Sequence, residues 1–530
     1  MNWKQKIRSL APLGVALAWL AVTPAAGAAT LSAQDIINTK CVTCHTRQGD
    51  QVNRLQQRKT PEGWLMTLTR MRTMHGADLT TEEVRTVVKH LADTQGLAPS
   101  EAQPARYAME RRLNTIEQHK TEQFGQMCAR CHSGARVELQ RRPMAEWEHL
   151  VHFHVGQFPT LEYQALGRDR DWVNIAFKEM VPYLTKHYPY ESKAWTDWKA
   201  LAPVSPAGRW TVAGHWPGKG SYAGVMEVAA GASADRYTVA FDGAWADGSA
   251  MKGSGQALVY TGYEWRADID IGGAKMRQVL ALDGDRASGR LFEREHDEIG
   301  GDLTAARQGS GARVLALQPA HIRAGETATL RIVGTGLDGE VKLPKGLTLI
   351  ETISRDQQQV VLKVAAAKSA PKGLKPVSVG VAPTATLAVY DRIDYVKVTP
   401  DYAIGRVGGN GGSTPVVQGR FEAIAHSAGP DRKPGTKDDW AIGVVPAKWS
   451  VEPFDDTAKA EKDVEFAGLM NTDTGVFTPG GAGPNPKRRM STNNAGNLNA
   501  VATVTEGKKT LTGKGHFIVT VQRWNNPPLP

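Results

Sequence analysis

All four cysteines of this 530-residue chain lie in two copies of one short pattern. The copies are Cys41-Val-Thr-Cys44-His45 and Cys128-Ala-Arg-Cys131-His132. C-x-x-C-H is typical of c-type haem attachment, because two thiols at that spacing reach the two vinyl groups of a haem and the adjacent histidine becomes the proximal iron ligand. The pattern therefore predicts two covalently bound haem c groups. Disulfides or thioredoxin-type dithiols are the alternative, and no surrounding βαβ pattern favours them.

The first 28 residues predict export. Basic residues precede a short apolar run, Ala11 to Val22, and Ala26-Gly27-Ala28 forms a small-residue cleavage site, so the mature chain is expected to start at Ala29. No other apolar stretch approaches the roughly 20 residues that a membrane span needs. Haem c with an export signal predicts the periplasm. The net charge of +10 is a mild excess spread along the chain, and nucleic acid is not an expected partner.

An internal repeat predicts the second iron ligands. Each haem motif is followed by a basic stretch, a proline and a tryptophan, as Arg58–Trp64 and as Arg141–Trp147. Met71 and His154 each lie seven residues after the repeat's tryptophan, which is two helical turns and the same helix face. We therefore expect one haem with His45 and Met71, and another with His132 and His154.

Other residues could take the same positions. The nearest rivals of Met71 and His154 are Met74 and His152. The remaining candidates are the other methionines and histidines downstream of each motif: Met66, His75, His90, Met144, His149, Met180 and His187. A thioether ligand raises the potential of a haem relative to an imidazole. The Met71 haem should therefore be the higher one, and electrons should run to it from the His154 haem.

The texture of the sequence predicts a multidomain chain, helical first and then all-β. Residues 29–203 read as a tandem dihaem cytochrome c domain with two class I-like units, about 29–103 and 104–203, and helices are expected at Thr81–Thr94, Pro104–Phe124 and Asp171–Thr185. Apolar residues then alternate, as from Tyr263 to Ile271 and from Leu387 to Val398, which is typical of strands. We expect an antiparallel β-barrel-like domain at 204–311 and immunoglobulin-like sandwiches at 312–392 and 393–530.

Weaker signals remain open. The loop at 428–440 places acidic residues among turn residues, which favours a plain turn and leaves a calcium ion as the alternative. No Ser/His/Asp or paired-carboxylate arrangement stands out, so no catalytic residue is predicted in this chain.

Two tandem C-x-x-C-H units followed by a barrel-like domain and two immunoglobulin-like domains resemble the alpha subunit of quinohemoprotein amine dehydrogenase. The most specific residues are the two haem motifs and the segment from Trp147 to Glu162. The resemblance implies a periplasmic heterotrimer, in which a small subunit carries a cysteine tryptophylquinone and oxidises primary amines, and a β-propeller subunit helps to form the active site.

In that family the dihaem chain takes electrons from the quinone and delivers them to a soluble acceptor, such as an azurin-like copper protein or a cytochrome c. All cysteines of this chain are assigned to haem, so the resemblance places the quinone in a partner subunit. The β-domains, which carry no visible chemistry, are expected to hold that partner.

Two other functions stay possible at this stage. A stand-alone dihaem peroxidase needs an open iron site, which a high-spin spectrum would reveal. A multihaem cytochrome with β-sandwich binding modules would purify without small subunits.

Overall fold

The computed structural model describes residues 31–49, 51–111, 117–161, 170–408, 415–489 and 493–521. The predicted signal peptide at 1–28 lies outside these residues. The chain is multidomain, with helices first, then a closed eight-stranded barrel and then further β-sheets. Within the described residues, no helix is both long enough and apolar enough to cross a bilayer.

The helical region carries eleven of the thirteen described α-helices. In chain order the helices α1 to α13 are Ala33–Ile36, Pro61–His75, Thr81–Thr94, Pro99–Ala102, Tyr107–Glu110, Glu122–Cys128, Ala135–Glu138, Met144–Gln157, Trp172–Ile175, Val181–His187, Lys193–Lys199, Asp456–Ala460 and Asp463–Phe466. Two π turns, Ile37–Cys41 and Ala176–Met180, continue α1 and join α9 to α10, and Pro159–Leu161 is a 3₁₀ turn.

Local capping explains where the two longest helices of the first unit begin. The Thr60 hydroxyl accepts from the Gly63 N–H ahead of α2, and Pro61 occupies the first turn, where its missing N–H is not needed. A capping box between Thr80 and Glu83 starts α3, which has the predicted bounds.

The predicted helix Pro104–Phe124 is wrong. Among the described residues of this range, which leave out 112–116, only α5 and the start of α6 are helical, and the chain is not helical from Glu117 to Lys120. The Glu117 carboxylate accepts hydrogen bonds from the Gly134 and Ala135 N–H groups, at 2.8 and 3.3 Å. This carboxylate stabilises the turn after the second haem motif, which competes with continuing the helix.

Each haem unit has its own core, and a short ladder joins the two. The cores centre on Trp64 and Trp147, both almost fully buried. The strands of the helical region, β1 to β4, are Arg47–Gln48, Gln51–Val52, Arg58–Lys59 and Gln140–Arg141. Strands β3 and β4 pair antiparallel, with Arg58 opposite Arg141, so the ladder crosses from the first unit to the second.

The predicted barrel-like domain is a closed up-and-down barrel. Its strands β5 to β12 are Gly208–Trp216, Gly220–Ala230, Arg236–Trp245, Ala250–Tyr260, Glu264–Ile271, Ala274–Asp283, Arg286–Glu293 and His296–Arg307. Strand β12 closes on β5, with Arg307 opposite Trp210. The interior is filled by large side chains, among them Trp210, Tyr222 and Trp265. Packing of this kind makes the barrel a solid support, as in other small barrels.

The rest of the chain forms two further groups of sheets. Strands β13 to β20 are Arg313–Gln318, His321–Arg323, Thr327–Thr335, Val341–Lys342, Leu347–Arg355, Gln359–Ala366, Gly373–Val379 and Ala385–Tyr390. Strands β21 to β30 are Tyr395–Thr399, Tyr402–Arg406, Gly419–Arg420, Glu422–Ser427, Trp440–Val445, Lys448–Pro453, Gly468–Met470, Val476–Pro479, Gly496–Glu506 and Lys509–Thr520. The first group forms two four-stranded sheets, and the second forms sheets of three, four and three strands.

The alternating segment Leu387–Val398 is two strands and not one. Strand β20 ends at Tyr390 and β21 begins at Tyr395, in a different sheet. The turn between them is held by Glu506, whose carboxylate accepts from the Ile393 N–H at 3.2 Å and pairs with Arg323 at 2.6 Å. The alternation of apolar and polar residues continues across this turn. The sequence pattern alone therefore did not show where one strand ends and the next begins.

Ion pairs and hydrogen bonds fasten the helical region to the barrel. Arg266 of β9 binds Glu62 of α2 at 2.5 Å and also contacts Glu264, and all three side chains are largely buried. The Trp198 indole N–H donates to the Thr261 carbonyl at 2.9 Å. Both predicted haem units therefore contact the barrel wall, the first through Glu62 and the second through Trp198.

Candidate haem sites

Both C-x-x-C-H motifs follow the end of a helix. Cys41 ends the π turn after α1, and the His45 N–H donates to the Cys41 carbonyl at 2.9 Å. Cys128 ends α6. In each motif the first thiol is half-buried and the second is exposed. Burial raises the pKa of Cys41 and raises that of Cys128 to about 12. None of these four thiols is in a disulfide, so all are available for thioether bonds.

In the second unit, the rings of His132 and His154 lie close to each other. Their ring centres are 6.4 Å apart, with the rings inclined by 48°. A metal–imidazole bond is about 2 Å and the ring centre lies about 1 Å beyond the nitrogen, so two rings on one metal ion have centres about 6 Å apart. The distance between these ring centres is therefore close to the one that two imidazoles on a single iron would have.

The tautomers of both rings are fixed by backbone carbonyls. His132 Nδ1 lies 2.8 Å from the Ser133 carbonyl, and His154 Nδ1 lies 2.7 Å from the Leu150 carbonyl. A carbonyl only accepts, so each Nδ1 carries the proton and each Nε2 keeps its lone pair. Burial lowers the pKa of His154, which keeps the imidazole neutral, as metal binding requires.

The rival histidine in this unit faces elsewhere. His152 is exposed, and its ring packs on Phe177 with centres 4.9 Å apart. His154 instead shares the inner face of α8 with the buried Trp147 and Val151.

The first unit repeats this helix face with a methionine. On α2, Trp64 and Leu68 are buried and Met71 is half-buried on the same face. Met74 and Met66 point outward, with 52% and 38% of their surfaces exposed. Burial lowers the pKa of His45, and the charges of Arg54 and then of His75 lower it further. His75, at the last turn of α2, is thus close enough to His45 to remain a rival of Met71.

Sequence reasoning missed a buried carboxylate between the units. Glu146 of α8 accepts from Gln57 Nε2 at 3.0 Å and pairs with Arg54 at 3.3 Å, so it bridges the two units. The basic stretch before each tryptophan was the available signal, because buried cations require a buried anion.

The acidic loop at 428–440 satisfies its own carboxylates. Asp431 accepts from the Lys433 N–H at 2.8 Å, and Asp439 accepts from the Gly435 N–H and the Tyr395 hydroxyl, both at 2.7 Å. Across the part of the chain that the structure describes, no group of three or more His, Cys, Asp or Glu side chains is placed to hold a metal ion. The geometry is that of a turn held by carboxylate-to-backbone hydrogen bonds.

Four family models match the chain, and all describe one protein subunit. A model described as quinohemoprotein amine dehydrogenase A, alpha subunit, haem binding, matches residues 31–195. Models of domains II, III and IV of the same alpha subunit match residues 204–308, 311–391 and 396–529. No curated protein matches the chain.

Two solved structures show weak likeness. A redesigned β barrel, mFAP1, bound to DFHBI, is 16% identical with a TM-score of 0.18, over 19% of this chain and 93% of that one. The zebrafish RET cadherin-like domains 1 to 4 are 12% identical with a TM-score of 0.16, over 59% of this chain and 66% of that one. Neither likeness bears on function.

Proposed function

The chain belongs to the family of quinohemoprotein amine dehydrogenase alpha subunits, and from this membership we propose that it is the dihaem c electron-transfer and scaffolding subunit of a periplasmic amine dehydrogenase. The family is a subunit of a multisubunit oxidoreductase, so partner subunits are implied. The observation that carries the proposal is the pair His132 and His154, whose ring centres are 6.4 Å apart, beside one of the two C-x-x-C-H motifs.

We assign two haem c groups to the chain. Cys41 and Cys44 would hold one through thioethers, and His45 and Met71 would bind its iron. Cys128 and Cys131 would hold the other through thioethers, and His132 and His154 would bind its iron. A haem iron bound in this way carries one electron at a time between its ferric and ferrous states.

The chain's own residues set the conditions for this transfer. The Ser133 and Leu150 carbonyls hold the two imidazoles in the tautomer that presents Nε2. Trp147 and Val151 line the same helix face and exclude water beside His154. A thioether on the first unit would give its haem a higher potential than two imidazoles would give the haem of the second, so the first unit would be the better electron acceptor.

The partners follow from the family. The electron donor would be a cysteine tryptophylquinone on a small catalytic subunit, beside a β-propeller subunit, and the acceptor would be a soluble copper protein or cytochrome c. Substrate chemistry lies outside this chain. The barrel and the sheets after it form the scaffold, which the buried Arg266 contacts fasten to the haem units.

The first experiment purifies the full complex and adds amine. We expect two small subunits to co-purify, both haems to become reduced, and reoxidation by a soluble acceptor. Hydrogen exchange of the isolated chain and of the complex should show partner protection within residues 204–521. Haems that stay oxidised while the complex passes electrons from amine to an artificial acceptor would contradict the electron-transfer role.

A stand-alone peroxidase is the competing function. It needs an iron with an open sixth position, and the ring of His154 opposite His132 argues against one in the second unit. Two low-spin six-coordinate haems in the resting protein are expected here, and a high-spin haem that reacts with peroxide would favour the peroxidase.

A further inference from the structure

The two haem units are related by an approximate two-fold rotation, which follows from contacts between equivalent residues. In the repeat, Arg58 corresponds to Arg141, and the two are paired in the β3–β4 ladder. Arg70 corresponds to Phe153, and the Arg70 guanidinium lies 4.6 Å from the centre of the Phe153 ring. Contact between equivalent positions is the mark of a two-fold interface. We call the region between β3, β4, α2 and α8 the seam.

Each unit places one buried cation over its repeat tryptophan. Lys59 Nζ lies 4.9 Å from the centre of the Trp64 ring, and the Arg142 guanidinium lies 5.5 Å from that of Trp147. Lys59 is 3% exposed and Arg142 is 5% exposed. Lys59 and Arg142 occupy equivalent positions in the repeat, so both units share the cation–tryptophan pair.

The seam holds more buried positive charge than negative charge. Among the described residues its buried or half-buried cations are Arg58, Lys59, Arg70, Arg141 and Arg142. Its buried or half-buried carboxylates are Glu62, Glu101 and Glu146, and two of them are already bound: Glu62 by Arg266 at 2.5 Å, and Glu101 by Arg58 at 2.7 Å and by Arg141 at 3.2 Å. Glu146 lies 3.9 Å from Arg142, its charge also acts on Lys59, and it already pairs with Arg54 at 3.3 Å, so one carboxylate serves several cations.

The pKa values of the buried cations reflect this excess of positive charge. Burial, and then the charges of Arg142 and Arg70, hold the pKa of Lys59 well below its usual range, and Glu146 opposes them only in part. Burial lowers the pKa of Arg142 to about 10, although Glu146 raises it. Buried cations that lower one another's pKa values call for a further anion.

One buried donor in the seam has no partner. The Trp64 indole N–H donates to the Gln95 carbonyl at 3.1 Å. Trp147 is 1% exposed, and its indole N–H has no hydrogen-bond acceptor among the described residues. An unsatisfied buried N–H costs about 1–3 kcal/mol, so such a donor is expected to meet an acceptor that belongs to the working protein. Trp147 lies two turns, about 10 Å, from His154 along α8, which is comparable to the reach from a haem iron to its propionates.

We propose that the seam is the anion site for the haem propionates, in which Arg142 and the Trp147 indole N–H bind a propionate of the second-unit haem and Lys59 binds one of the first-unit haem. This inference rests on the proposed dihaem function. Carboxylates supply both the negative charge that the cations lack and the acceptor that Trp147 lacks. Both haems would then turn their propionate edges toward one shared basic seam.

The test measures the reduction potential of each haem in the full-length holoprotein, together with resonance Raman bands of the propionates. Arg142→Gln removes a positive charge that favours the reduced haem. We expect the equilibrium constant for reduction of the second-unit haem to fall about tenfold, equivalent to about 60 mV for one electron. Arg142→Lys keeps the charge and should restore most of the potential.

Trp147→Phe removes only the indole donor, and Trp64→Phe is its matched control. Trp147→Phe should shift the propionate bands of the second-unit haem and lower its potential less than Arg142→Gln does. Trp64→Phe should leave bands and potentials unchanged, because its indole N–H already has the Gln95 carbonyl.

The outcomes separate this inference from the proposed function. Haem content and low-spin spectra report on the function, and both should stay normal in every variant. If both haems are present and low-spin, but Trp147→Phe leaves the potentials and the propionate bands unchanged, the propionate site is wrong and the dihaem function stands. If Arg142→Gln fails to fold, the Trp147→Phe and Trp64→Phe pair still decides the question.

Discussion

The two haem units share a plan and differ at the residue that would complete the iron site. In both, a helix carries a buried tryptophan, then an apolar residue four positions on, then the proposed ligand at position seven. In the first unit that ligand is Met71, and in the second it is His154. In the first unit the tryptophan N–H is satisfied by the chain, and in the second it is not.

This comparison separates the features that the two units share from the residue that would set the potential of each haem. The two units share this helix face and the buried cation over its tryptophan. As the proposed iron ligand, the residue at position seven would change the potential with little change in packing, because methionine and histidine have similar size. Two haems of different potential on one scaffold would then favour electron transfer in one direction.

The largest expected effect tests whether the units load independently. Cys128→Ala with Cys131→Ala should leave one haem per chain in place of two, since the first motif has its own thiols, helix and core. A pyridine haemochrome assay on the denatured chain measures this. The matched variant, Cys41→Ala with Cys44→Ala, should lose the other haem. If either pair abolishes both haems, the units are not independent.

The second prediction removes the difference at position seven. Met71→His should lower the potential of the first haem by on the order of 0.1 V toward the second, because an imidazole replaces a thioether. The near-infrared band of a methionine-ligated ferric haem should vanish. Redox titration and near-infrared spectra measure both. Met74→His, at an exposed position, is the control. A band that persists in Met71→Leu would assign the iron to another residue, and His75→Ala would then be the next variant.

The third prediction concerns a contact that holds the first unit on the barrel. Arg266→Met leaves Glu62 and Glu264 buried without their cation, which should cost about 3–5 kcal/mol of unfolding free energy. The loss should appear in faster hydrogen exchange of α2 than of α8, because Glu62 belongs to α2. Arg277→Met is the control, since its Asp268 partner is half exposed and the pair is worth under about 1 kcal/mol. Equal acceleration of both helices would show that the barrel supports the two units alike.

The smallest effect is the response of the seam to acid. Burial alone would raise the pKa of Glu101, but the hydrogen bond from Arg58 and the charge of Arg141 outweigh it and lower the pKa to about 2. Because the pKa of Glu101 is lower in the folded state than in the unfolded state, its carboxylate stabilises the fold at pH values above the unfolded pKa. This stabilisation is lost as the pH falls toward 2. We expect about 2 kcal/mol to disappear between about pH 5 and pH 2. Denaturant titrations of the wild type and Glu101→Gln measure this, and the same slope in both would contradict it.

The parts predicted from sequence are those fixed by local chemistry. The two cysteine motifs have one dominant meaning, the capping residues around Thr80 fixed α3, and the alternation at Trp265 and Ile269 gave the buried face of a barrel strand. The repeat also put Met71 and His154 on the inner helix face.

The parts that sequence could not give depend on distant partners. Glu146 is one carboxylate in a helix, and its meaning comes from Gln57 and Arg54, which lie some 90 residues earlier. Glu117 interrupts a helical pattern because it binds a turn that follows the haem motif. No periodicity encodes these pairings, since each is fixed only when the units pack.

Equivalent residues of the two units contact each other across the seam. The haem region is therefore arranged like a homodimer whose two subunits are joined in one chain. A self-complementary surface presents each position to a copy of itself, as Arg58 is presented to Arg141. Covalent linkage keeps the copies at high effective concentration, so the association no longer depends on how much protein is present. Each half is then free to diverge where divergence is useful, and the change from methionine at 71 to histidine at 154 is such a divergence.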